Sequence, residues 1–200
     1  MTTRDAILDG ALEVMRTRGL ARTTTKEIAR AAGFSEPTLY KFFVDKVDLF
    51  LCVLAERLPR VTVVSDGISH LVGTGNVAQN LHTMGIEIER FYAASLPIAM
   101  SVFSDANLLA RQRKAVHERG AGPEIIVNRV ADYLRAEQAG GRISDSAPVE
   151  GAAGALVGAC MHHAFLARFN DGSEETHADD KKVADLVNRV VEAILPSLCP

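Results

Sequence analysis

Tryptophan is absent from this 200-residue chain, and only 3 tyrosines and 8 phenylalanines supply aromatic bulk. So thin an aromatic complement, beside abundant alanine, suits close-packed helices better than sandwiches or barrels. An all-α protein is expected. Cysteine is scarce too: Cys52, Cys160 and Cys199 are odd in number and lack CxxC spacing. They offer no disulfide framework and point to a reducing cytoplasm. Long apolar runs are also missing. The opening MTTRDAILDG lacks the apolar stretch of a secretory signal. The most membrane-like segment, 151–169, contains His162, His163 and Arg168 and owes much of its apolarity to Ala and Gly. A spanning helix needs about 20 strongly apolar residues, so no membrane partner is expected.

An excess of basic charge is missing as well, since the formal net charge is −3. The charge is unevenly divided, however. Residues 1–60 hold 10 Lys/Arg against 8 Asp/Glu, whereas 61–200 hold 12 against 17. A small basic head on an acidic body is compatible with nucleic-acid binding, because phosphates respond to the local field rather than to the total.

The head has a dense pattern of helix signals. Ile7, Leu8, Ala11, Leu12 and Met15 recur at helical spacing, which predicts an amphipathic helix over 3–18 ended at Gly19. Thr24 stands three residues before Glu27, the capping-box spacing, so a second helix should run over 25–31 and bury Ile28 and Ala32. Gly33 supplies the positive φ of a sharp helix end, and Ser35 can cap a third helix by accepting from the amide of Thr38. Pro37 falls in that helix's first turn, and Leu39 and Phe43 lie four apart on one face. Asp45 can cap a fourth helix carrying Leu49, Val53 and Leu54 towards Pro59.

Two short helices joined by a tight glycine turn form the helix-turn-helix plan, in which the second helix enters the major groove and the first braces it. Here the resemblance becomes specific. The segment TTTKEIARAAGFSEPTLYKFFVDKVDLF resembles the signature of the tetracycline-repressor (TetR) family of transcriptional regulators, with Thr24, Ile28, Ala29, Ala32, Gly33, Ser35, Leu39, Tyr40, Phe43, Lys46 and Leu49 at matching places. Lys26, Phe34 and Val47 depart from it. The resemblance implies a three-helix DNA-binding domain over 1–50, extended by a linking helix to about 60, and a larger helical effector-binding and dimerisation domain over 61–200. It also implies that Thr24, Tyr40 and Lys46 hold phosphates, a role that a helix N-terminus, a phenol and an ammonium suit chemically. For base reading the candidates are Ser35, Glu36, Pro37, Thr38 and Lys41: Lys41 can donate to guanine, Glu36 accept from cytosine, and Thr38 or Pro37 touch a thymine methyl. Phe42 is read as a packing residue.

Beyond residue 60, helices are expected at 77–94, 98–117, 123–139, 148–169 and 178–195. AGGRIS and NDGSEETHADD read as loops, the latter lacking the ligand spacing of a calcium site. One head touches too few base pairs to be selective, so the plan requires two copies. Gly151, Gly154, Ala155 and Gly158, continued by Met161, His162 and Phe165, make a small-residue stripe along which helices can approach. The last helix adds an apolar face that includes Val187, Val190, Val191 and Ile194. Together they are candidates for the four-helix homodimer interface that the resemblance implies.

The resemblance also implies a cavity for a small-molecule effector. Met84, Ile88, Phe91, Met100 and Phe103 are candidate lining residues, with His82, His117 or Tyr133 as polar contacts; ordinary core packing is the alternative for each. Adjacent His162 and His163 diverge on a helix, and no HxxxH or CxxC pairing accompanies them, so no metal site is expected. No cofactor is expected either. No nucleophile elbow, phosphate-cradling glycine loop or di-metal Glu/His set is visible, so the chain reads as a non-enzyme. The functional expectation is a cytoplasmic, homodimeric, ligand-responsive repressor of double-stranded operator DNA. The alternatives are an effector-independent DNA-binding regulator, or an all-helical enzyme with a helix-turn-helix-like bundle.

Overall fold

The computed structural model describes residues 1–19, 22–57, 68, 70–103, 105–118, 122–171 and 180–199, and all regular structure among them is helical. The helices are α1 (Thr3–Arg18), α2 (Thr25–Ala31), α3 (Glu36–Leu39), α4 (Lys46–Glu56), α5 (Val77–Val102), α6 (Ala106–Glu118), α7 (Ile125–Ala139), α8 (Val149–Asp171) and α9 (Asp180–Ile194), followed by a short 3-10 turn (Leu195–Ser197). Packing divides the chain into two compact units. One comprises residues 1–60 with 95–120, here called the head unit; the other comprises 61–94 with 121–200, called the body unit. Most of the NDGSEETHADD loop lies outside the described residues.

In the head unit, local chemistry sets the helix ends. Thr2 and Asp5 form a capping box at α1, and Thr24 and Glu27 form another at α2. Gly33 follows α2 with φ +79°, a conformation that disfavours a side chain. Asp45 caps α4 by accepting from the amide of Asp48 at 2.8 Å. The helices bury Ile7, Leu8, Ala11, Met15, Ile28, Leu39, Phe43, Leu49, Phe50 and Val53 in one core, joined by Val102 and Leu108. Arg4 grips Glu56 through two hydrogen bonds of 2.6 and 2.7 Å, and Arg57 reaches Asp5 and Asp9.

Two expected helix boundaries fail. The helix expected to end at 94 runs on through Pro97 to Val102, the proline having no N–H to give to the helix ladder. The break comes instead before α6, where Asp105 Oδ1 accepts from the amides of Asn107 and Leu108 at 2.9 and 3.0 Å, so the single helix expected over 98–117 is two pieces. Ser35 also differs from expectation: its hydroxyl meets the Thr38 hydroxyl at 2.9 Å and caps no amide.

The body unit packs α7, α8, α9 and residues 77–94 of α5 around Leu81, Met84, Ile88, Val130, Leu134, Leu156, Val157, Cys160, Val183 and Val187. Gly85 permits a close approach: a Cβ there would lie 2.5 Å from Val187 Cγ1. A buried polar network ties residues 71–75 to α7. Glu137, without exposed surface, accepts from the amide of Gly73 at 3.1 Å and pairs with Arg142 at 2.9 Å, while Arg142 also donates to the carbonyls of Thr74 and Gly75. Asn80 donates to Tyr133 Oη at 3.0 Å and to the Thr74 carbonyl at 2.9 Å.

Candidate nucleic-acid interface

α3 is four residues long, yet its turn continues: Lys41 and Phe42 donate to the carbonyls of Thr38 and Leu39, and Phe43 to that of Leu39. This carries Leu39 and Phe43 onto one buried face, with 0% and 1% exposure. The opposite face is left outward. Ser35, Pro37, Tyr40 and Lys41 are exposed, and Glu36 and Thr38 are half-buried. Lys26 and Arg30 of α2 are exposed as well, giving the segment cationic surface. Phe42, expected to pack, is 42% exposed, because the core positions of this turn already belong to Leu39 and Phe43. Phe34 is also partly exposed.

The candidate phosphate and base contacts are linked among themselves. Tyr40 Oη donates to Thr25 Oγ1 at 3.3 Å, and the Thr25 hydroxyl donates to the Glu36 carboxylate. Thr25 therefore joins two α3-side groups to the start of α2, a role not read from the sequence because its partners lie 11 and 15 residues away. Thr24 commits its hydroxyl to Glu27, and that hydrogen bond holds the Glu27 carboxyl below its ordinary range. Lys46 opens α4 and is half-buried. Behind the turn, Asp45 pairs with Arg111 of α6 at 2.7 Å, and that hydrogen bond depresses its pKa.

Of the candidate effector contacts, Met84, Ile88, Tyr133 and Phe91 share the body unit's cluster. Met84, Ile88 and Tyr133 are buried in the body core, and His82 and Phe91 are half-buried. Met100 at the end of α5, Phe103 in the turn after it and His117 in α6 belong to the head unit and are exposed. A cleft of about 390 Å³ lies between the start of α5 and the C-terminal turn, lined by Val77, Arg142, Leu195 and Cys199 among others, and a smaller one of about 140 Å³ touches Tyr133.

The stripe on α8 is outward-facing: Gly151, Gly154, Ala155, Gly158, Met161, His162 and Phe165 are exposed, and Phe165 stacks on Phe169 with ring centroids 6.0 Å apart. The α9 candidates divide otherwise. Val187 and Val191 turn into their own chain's core, and Val190 and Ile194 flank it. The core takes the centre of the α9 apolar face. Among the described residues, no cluster of three or more His, Cys, Asp or Glu stands ready for a metal, and no helix is long and apolar enough to cross a membrane.

Comparison with known proteins meets this geometry at the head. Residues 7–53 match the family described as bacterial regulatory proteins, tetR family. The chain carries the tetR-family domain. An uncharacterised HTH-type transcriptional regulator of Pseudomonas putida, TtgW, is 40% identical over 55 residues, which span 28% of this chain and 41% of TtgW. Among solved structures, a chain assigned to the TetR family from Mesorhizobium loti superposes with a TM-score of 0.80 at 20% identity, covering 99% of this chain and 97% of its own. FadR of Bacillus subtilis, solved with stearoyl-CoA, gives 0.68 at 18% identity over 97% and 98% of the two chains. SmeT, the repressor of a Stenotrophomonas maltophilia multidrug efflux pump, gives 0.66 at 18% over 96% and 90%. At such identities the likeness establishes the fold: a tetR-like helix-turn-helix head followed by a helical C-terminal part.

Proposed function

We propose that this chain is a homodimeric transcriptional regulator, a repressor released from operator DNA by a small molecule. The observation that carries the reading is the outward face of α3, held by the caps and Gly33 of a tetR-family domain and presenting Pro37, Tyr40 and Lys41. In this reading Tyr40 and Lys46 hold phosphates, with Thr24 at the capped end of α2, while Ser35, Glu36, Pro37, Thr38 and Lys41 face the bases. The bond network gives Glu36 a second role, steadying Tyr40 through Thr25. The DNA-binding domain is residues 1–50 with its extension to about 60, and residues 61–200 receive the effector and dimerise. Its setting is the cytoplasm, where operator DNA is found.

Support for the dimer is the exposed α8 face, where a Cβ added at Gly154 or Gly158 meets nothing within 4 Å, leaving room for a second helix. Support for an effector comes from the fold neighbours, one solved with stearoyl-CoA and another a repressor of a multidrug efflux pump. An effector acts by binding the DNA-incompetent conformer more tightly than the competent one.

The deciding experiment is a gel shift on DNA upstream of its own gene at low salt, repeated with candidate compounds. Tyr40→Phe and Lys46→Ala should weaken binding to operator and random DNA alike, with the Lys46 change lowering the salt slope by about 1, whereas Lys41→Ala should relax base preference at about 1–3 kcal/mol. If all three variants bind both DNAs as the parent does, the interface assignment is wrong.

A further inference from the structure

In the body unit, Gly85, Glu89 and Tyr92 on α5 meet Cys160 and His163 on α8. Cys160 Sγ donates to the Gly85 carbonyl at 3.4 Å. His163 Nδ1 lies 3.0 Å from Glu89 Oε1, where a ring N–H donates to the carboxylate. Glu89 has no exposed surface, whereas the His163 side chain keeps 24% of its own. The second carboxylate oxygen, Oε2, has no hydrogen-bond partner. An acid buried with half its acceptor capacity unmet is costly, and native structures retain such groups where something else supplies the donor. The thiol at Cys160 is already committed to a carbonyl, and His163 is already committed to Oε1. The body core is apolar or aromatic, with Met84, Ile88 and Leu156 inside it and Phe91 and Tyr92, whose rings meet each other edge to face, packed against it.

We propose that Glu89, braced by His163, is the recognition point for a small molecule carrying a protonated amine on an apolar body. An ammonium supplies N–H donors to Oε2 and neutralises the carboxylate, and charge-assisted bonds of this kind are stronger than neutral ones. An anionic head group meets like charge at the same place. His163 acts as a positioning residue: it fixes the carboxylate by one oxygen and leaves the other to the ligand. The inference rests on the body unit being the effector-binding part, and it adds the ligand's chemical class and the residue that selects it.

The test uses the full chain and three probes that share a body and differ in head group: dodecylammonium, dodecanol and dodecanoate, each titrated calorimetrically below its micellar concentration. Dodecylammonium should bind at least tenfold more tightly than dodecanoate, with dodecanol between them. Glu89→Gln, which keeps the shape and removes the charge, should weaken dodecylammonium at least tenfold and leave dodecanoate within about threefold, erasing the preference. The proposal is overturned if the parent protein binds none of the probes or ranks dodecanoate first, results independent of how any variant folds. It is equally overturned if Glu89→Gln keeps the parent's preference. Gel shifts run in parallel separate the two readings. A parent that shifts its promoter without preferring the amine refutes only the ligand class, and one that prefers the amine but shifts no promoter refutes only the regulator.

Discussion

In the head unit the ionisable groups sit at the rim: Arg4 with Glu56, Arg57 with Asp5 and Asp9, and Arg111 with Asp45, all partly exposed. In the body unit Glu89 and Glu137 are drawn fully inside, alongside the buried thiol of Cys160 and the buried phenol of Tyr133. Rim pairs are screened and contribute little to stability, about 0–1 kcal/mol each. Buried polar groups stand in a weaker dielectric, where losing a partner is expensive. The head unit therefore leans on apolar packing and helix caps, and the body unit on a polar network that must remain satisfied.

The largest test of this contrast is Phe43→Ala. It should destabilise the head unit by about 3–5 kcal/mol through the cavity it leaves, seen as lost hydrogen-exchange protection in α1, α2 and α4. Equal loss in α7 and α8 would show that the two units unfold as one. Next is Glu137→Leu in the body unit, expected to cost about 3 kcal/mol in urea melts because it strands the Gly73 amide and the Arg142 guanidinium. A neutral result there would mean the network contributes nothing beyond its volume.

Alkali should separate the regions at smaller amplitude. Burial, with the nearby Glu89 charge, pushes the Cys160 thiol up to about 12, and burial pushes the Tyr133 phenol up to about 12. Both pKa values are raised on folding, so the stability they contribute is full below their ordinary values, about 9 for the thiol and about 10 for the phenol, and is lost as pH rises towards about 12, at about 1.4 kcal/mol per group per pH unit. By pH 10 the body unit should have lost about 1–2 kcal/mol, and Cys160→Ala should remove the first part of that slope. Acid acts on the head unit in the opposite sense. Hydrogen bonds from Arg111 and Arg4 hold Asp45 and Glu56 low, so what they contribute is present above their unfolded pKa values and is lost as pH falls through the folded ones. Smallest of the substitutions, Thr24→Ala should cost about 1 kcal/mol through the lost cap on α2, read as earlier exchange of the Glu27 amide.

What was legible in the sequence was local. Thr24 with Glu27, Gly33 and Asp45 act within four residues, and each sits where expected. Ser35 was misread because two hydroxyls three residues apart have a choice of partner that sequence does not decide. Pro97 looked like a helix end, yet a long helix with packed neighbours tolerates one missing bond. Thr25 with Glu36 and Glu89 with His163 join residues 11 and 74 positions apart, so no spacing rule finds them. On α9, periodicity marked an apolar face but not which part of it the chain's own core would take.

The division of labour within α3 has an evolutionary consequence. Leu39 and Phe43 belong to the scaffold, whereas Pro37 and Lys41 are exposed. Mutations at the outward positions leave the fold nearly untouched, so, on the proposed base-reading role, a duplicated copy of this gene is free to drift towards a new target while its scaffold stays under selection. Inheritance of architecture and innovation of address are thus separated along one turn of helix.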